Sequence, residues 1–140
     1  MFIPLSINDE ALAELGVTVT YEEELIENVK QRKILMLKRQ RDTAEVEPIE
    51  YGGHSFDYDD KARDRINAAI IALSLQGEGA SIDWTTADNA DVKVTANDLR
   101  MVIAMVANRS NALHIAYREA KDKVEQAATV AEVEAITLDA

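Results

Sequence analysis

The chain has 140 residues, 26 Asp+Glu against 15 Lys+Arg, a formal net charge of −11 and no cysteine. The missing thiols exclude disulfides, thiolate metal sites and cysteine nucleophiles. A field of that sign works against nucleic-acid phosphates and anionic lipid as partners. Two Pro and seven aromatics (four Tyr, two Phe, one Trp) argue against a large all-β sandwich, and the length suits one domain with or without an appendage.

Met1 to Ser6 lacks the basic and long apolar regions of a signal peptide, and apolar runs such as Ile34 to Leu37 fall far short of the roughly 20 residues of a bilayer span. Cytoplasmic synthesis and no membrane partner are the expectation. Residues 1–19 read as an arm that must dock on something. Phe2, Ile3 and Leu5 alternate around Pro4, Asp9 to Leu15 forms a two-turn helix between Asn8 and Gly16, and Val17 to Val19 is β-branched. Phe2, Ile3, Leu5, Leu12 and Leu15 are the candidate partner-binding residues.

Residues 20–45 read as a charged connector or oligomer helix. Thr20 to Glu23 is a capping box. Glu22, Glu23, Glu24 and Glu27 crowd the start, and Lys30, Arg32, Lys33, Lys38, Arg39 and Arg41 follow, as the helix dipole prefers. Leu25, Val29, Met36 and Leu37 form only a thin apolar stripe. The six cations lack interleaved aromatics, so they read as a solvated face and not as a single-strand binding platform.

Beyond Pro48, Ile49 and Tyr51 alternate before Gly52-Gly53, and His54, Phe56 and Tyr58 alternate after it, which predicts a tight hairpin. Asp57, Asp59 and Asp60 open a helix that runs to about Gln76. Its buried face is Ala62, Ile66, Ala69, Ile70 and Leu73, and Gly77 to Gly79 breaks it. These acids lack the spacing of a calcium loop, so capping explains them. Ile82 with Trp84 and Val92 with Val94 predict a second hairpin around Ala87 to Ala90, with Trp84 anchoring the core. Thr95 to Asp98 then caps the longest helix. Leu99, Ile103, Val106, Ser110, Leu113, Tyr117, Ala120, Val124 and Ala127 recur at spacings of four and three, a heptad seam broken once at Ser110. Packing against the 60–76 helix covers about half of such a seam, so Leu99, Ile103, Val106, Leu113, Tyr117 and Val124 are the candidate oligomer interface. Thr129 to Glu132 caps a short final helix. His54 reads as a strand histidine bonded to backbone, His114 has no partner at the metal-ligand offsets of three or four, and there is no nucleophile elbow. No catalytic residue, metal site or cofactor is expected.

Tyr51-Gly-Gly-His-Ser-Phe-Asp57, Trp84-Thr-Thr-Ala-Asp-Asn89, the long helix with Ala112-Leu-His114, and the closing Ala128-Thr-Val-Ala-Glu-Val-Glu-Ala-Ile136 stand in a familiar order. Over about residues 48–136 the chain resembles a small helical domain of unknown function found at the C-terminal end of bacteriophage tail proteins and tail-fibre assembly chaperones. The resemblance implies a non-enzymatic phage protein whose helical domain forms trimers alongside a trimeric fibre client. It differs in what precedes the domain: about fifty residues stand where those chaperones carry a larger client-gripping β-domain.

The expected fold class is mainly α (α+β), with long helices, two short antiparallel β-hairpins and a helical oligomer, trimer favoured. Residues 1–47 form the arm and connector helix, and 48–140 the phage-tail helical domain. The expected function is a tail-fibre-associated assembly factor, chaperone or adaptor, that binds the fibre or baseplate in the host cytoplasm. The alternative is a permanent tail subunit of the virion.

Overall fold

The computed structural model describes residues 18–139, with side chains described from Leu25 onward. The arm, with Phe2, Ile3, Leu5, Leu12 and Leu15, lies outside the described residues, as do the side chains of the Thr20 capping box. Helix α1 (Thr18–Glu45) leads into the hairpin β1 (Ile49–Tyr51) and β2 (His54–Phe56), then helix α2 (Asp60–Gln76). A second hairpin, β3 (Ser81–Thr85) and β4 (Asp91–Thr95), leads into the 31-residue helix α3 (Ala96–Gln126) and the short α4 (Val130–Ala135). Among the described residues the fold is mainly α, with two separate two-stranded antiparallel sheets.

Local chemistry accounts for the boundaries. Gly52 and Gly53 take φ of 60° and 80°, the paired positive values of a two-residue turn, and Tyr51 pairs with His54 across it. The carboxylate of Asp59 accepts from Ala62 N at 2.8 Å and starts α2. At α3 the capping box closes reciprocally: Thr95 Oγ1 accepts from Asp98 N at 3.1 Å, and Asp98 Oδ2 accepts from Thr95 N at 2.9 Å. Thr129 Oγ1 accepts from Glu132 N at 3.1 Å in the same way at α4.

In the second hairpin Ile82 pairs with Val94 and Trp84 with Val92, so the apolar residues share one face. Its loop turns on Thr86, which is buried. The Thr86 hydroxyl accepts from Ala90 N at 3.1 Å and donates to the Asp88 carboxylate. Ala87 N donates to Ser55 O at 2.7 Å, a main-chain bond that ties the second hairpin to the first.

Helix α3 carries two cores in series along one face. Towards its N-terminus, Leu99 and Val102 pack with Phe56, Ile66, Leu73, Trp84 and Val94 from the hairpins and α2. Towards its C-terminus, Ala120 and Val124 pack with Leu37 of α1 and Val133 of α4. Leu37 is fully buried, so α1 is packed into this second core.

The basic run of α1 is built into this second core. Lys30 Nζ donates to Glu125 O at 3.0 Å and Lys33 Nζ to Glu134 O at 3.1 Å, each a carbonyl in the last turn of another helix. Those carbonyls lack intrahelical partners and lie at the negative end of a helix dipole. The Arg41 guanidinium lies over the Tyr117 ring, 4.6 Å from its centroid. Half of the six cations therefore hold α1 in place, while Arg32, Lys38 and Arg39 remain exposed.

Candidate functional site

The heptad seam of α3 is used inside the chain. Leu99, Val106, Leu113 and Val124 are buried by the chain's own elements, and Ile103 and Tyr117 are half-buried. Four of the six expected interface residues are therefore spent on the chain's own packing, and Ile103 and Tyr117 remain partly open. Helix α2 and the hairpins cover the first half, as the sequence allows. The second half is covered by α1 and α4, whose thin apolar stripes understate how well they pack on a shared partner.

The interruption at Ser110 marks the joint between these two coverings. There α1 ends, and Glu45 Oε1 accepts from Ser110 Oγ at 2.7 Å and lies 2.8 Å from His114 Nε2. Arg109 completes the joint by donating from Nη2 to Glu45 O at 2.8 Å and from Nη1 to Pro48 O at 3.3 Å. A polar residue in the seam is thus the acceptor's counterpart at a helix end. His114 serves the same joint and meets no other titratable partner among the described residues.

A second joint lies at the other end of α3. Tyr51 OH donates to Asp98 Oδ1 at 2.9 Å, linking the first hairpin to the capping box. Hydrogen bonds, first from the Thr95 backbone and then from Tyr51 and the Thr95 side chain, hold the Asp98 carboxyl below its ordinary range against the opposing effect of burial. The same bond, with burial and the nearby charge, pushes the Tyr51 phenol up. His54 lines an open hollow of about 300 Å³ with Tyr51, Lys93 and Asp98. Asp88 is held low chiefly by the Thr86 hydroxyl, and His54 adds a smaller effect of the same sign.

Among the described residues no group of three or more His, Cys, Asp or Glu is placed to hold a metal, and no helix is long and apolar enough to cross a membrane. A hollow of about 510 Å³ lies between the Gly77–Ala80 turn and the start of α3, and one of about 370 Å³ lies beside the Glu45–Ser110 joint; both open to solvent.

Apart from Val46, just beyond α1, the large exposed apolar residues among those described lie on helices. Leu25, Leu35 and Met36 are 43%, 48% and 42% exposed on α1, beside Arg32 and Arg39. On α2, Ile71 and Leu75 are 65% and 84% exposed, and on α3 Met101 and Ile115 are 44% and 38% exposed. Leu35 and Met36 are neighbours in sequence and Ile71 and Leu75 stand one turn apart, while Met101 and Ile115 are separated along α3. The strongest apolar periodicity in the chain is used internally by the fold. The weaker outer stripe was masked by the small and polar residues within it.

A family model described as "Domain of unknown function (DUF4376)" matches residues 28–137, well over half of the chain. The chain belongs to this family. The match begins within α1, in keeping with the packing of that helix into the second core. No curated protein and no solved structure matches the chain.

Proposed function

We propose that this DUF4376 protein is a phage tail-fibre-associated assembly factor, a chaperone or adaptor that self-associates and binds the fibre or baseplate. The observation that carries the reading is the set of exposed apolar residues on the outer faces of three helices, around an interior already filled by the chain's own elements. Such faces act by covering the apolar surface of another protein, with no bond chemistry. The phage setting comes from the ordered motifs between Tyr51 and Ile136, which resemble the helical domain of tail-fibre assembly proteins. The arm bearing Phe2, Ile3, Leu5, Leu12 and Leu15, with the Leu35–Met36 face of α1, contacts the client.

Co-expression with the neighbouring fibre gene tests this reading. Soluble, trimeric fibre should increase, and an unchanged fibre yield would sink the chaperone version. The other version is a permanent tail subunit, for which mass spectrometry of purified virions finds the protein. A released assembly factor is absent from them.

A further inference from the structure

Helix α1 divides into two faces. Ile34, Leu37 and Arg41 turn into the second core. Leu25, Arg32, Leu35, Met36 and Arg39 recur at helical spacing on the opposite side, and all five are exposed. Residues 1–17, outside the described part, join α1 at Thr18, the end from which this outer stripe runs. They carry Phe2, Ile3, Leu5, Leu12 and Leu15, three acids (Asp9, Glu10 and Glu14) and no Lys or Arg.

We infer that residues 1–17 turn back at Gly16 and lie antiparallel on the outer stripe of their own α1. Reach argues for this occupant. Leu25 stands about 10 Å along the helix from Thr18, and Leu35 and Met36 stand about 26 Å along it. Taken as the two-turn helix its sequence predicts, Asp9 to Leu15 covers about 10 Å and brings Leu12 and Leu15 alongside Leu25. Beyond it, residues extended at about 3.3 Å each put Leu5 about 24 Å along and Ile3 about 30 Å along, on either side of Leu35 and Met36. Apolar residues on the arm and on the stripe thus meet at matching distances. A segment tethered to the stripe's own end also meets it at a high effective concentration, which favours it over a second copy or a free peptide. Charge acts in both directions. The arm's acids meet like charge at the start of α1, from Glu22, Glu23, Glu24 and Glu27, and opposite charge beyond it, from Arg32, Lys38 and Arg39. That balance draws the arm along the helix, and its opposing part leaves the arm open to displacement by a larger apolar surface. The Leu35–Met36 face then carries its own removable cover until a client takes it.

The cover rests on the proposed function only for what displaces it, and the docking is tested without a client. The chain has no cysteine, so a pair of introduced thiols reports one contact. Under mild oxidation of the dilute full chain, L5C with M36C should close an internal disulfide in most molecules, read as a faster-running monomer on non-reducing gels that a reductant reverts. L5C with L75C, which places the second thiol at a more open position on α2, should stay unlinked. Circular dichroism should show the parental helicity for both. Failure of the L5C/M36C pair to close, or equal closure by the L5C/L75C pair, would overturn the inference. Disulfide-linked dimers in place of the internal link would give the stripe to a second copy's arm and overturn it as well. Closure without rescue of the fibre would remove the assembly role and leave the cover standing, whereas rescue without closure would remove the cover alone.

Discussion

The carboxylate of Glu45, at the last position of α1, accepts a hydrogen bond of 2.7 Å from Ser110, near the middle of α3. That bond joins residues 65 apart in sequence and sits where one covering of α3 gives way to the next. The predicted consequence is that Glu45→Ala destabilises the fold by about 1–3 kcal/mol, because the part-buried Ser110 hydroxyl loses its acceptor and the more exposed His114 loses its contact. Glu45→Gln should retain most of the stability, since its amide oxygen still accepts from Ser110. Urea denaturation of the three proteins measures both.

Two substitutions two residues apart on α3 should behave oppositely. Leu113 is 5% exposed and Ile115 38% exposed. Leu113→Asp places an unpaired charge in the core and should cost about 3 kcal/mol or more, unfolding much of the chain at 37 °C. Ile115→Asp should keep the native circular dichroism spectrum and melt close to the parental midpoint.

The Tyr51–Asp98 joint predicts a pH signature with a definite sign. Asp98 has a depressed folded-state pKa, so its contribution is complete above the unfolded value of about 3.9 and is lost as pH falls through the folded value. Tyr51 has a raised folded-state pKa, so its contribution is complete below 10.0 and is lost as pH rises through the folded value. Tyr51→Phe should lower the thermal midpoint at neutral pH, and its deficit against the parent should shrink at the alkaline limit. Melts between pH 2 and 11 check both limbs.

The lysine contacts to helix ends give a local prediction. Lys30→Met with Lys33→Met removes two donors from terminal carbonyls of α3 and α4, each contact contributing about 0.3–1 kcal/mol. Hydrogen exchange followed by mass spectrometry should quicken over residues 130–138 and stay unchanged in the first core.

Much of this architecture was legible in the sequence because local chemistry dictates it. Gly52-Gly53 demanded a tight turn, Asp59, Thr95 and Thr129 marked three helix starts, and the Ile82/Trp84 and Val92/Val94 alternation gave the second hairpin its register. The Thr86-centred loop was not legible, since a buried threonine that bonds across its own loop leaves no periodic trace. Nor was the role of α1. Its covering residues Ile34, Leu37 and Arg41 are spread among exposed charges, and only the helix-end carbonyls across the interface explain Lys30 and Lys33. What covers the seam was not legible for a related reason: periodicity reveals that a face is covered, not which element covers it. Ser110 was the clue, because a polar break in an apolar seam points to a specific partner, here Glu45.

The proposal that the chain self-associates through its exposed outer faces, with the inner face of α3 filled by its own elements, is tested most directly by the solution mass of Ile115→Asp beside the parent. Light scattering at tens of micromolar should give a mass well above 15.5 kDa for the parent and the single-chain mass of 15.5 kDa for the variant, with unchanged helicity. A folded Ile115→Asp protein that keeps the parental mass above 15.5 kDa would contradict the account.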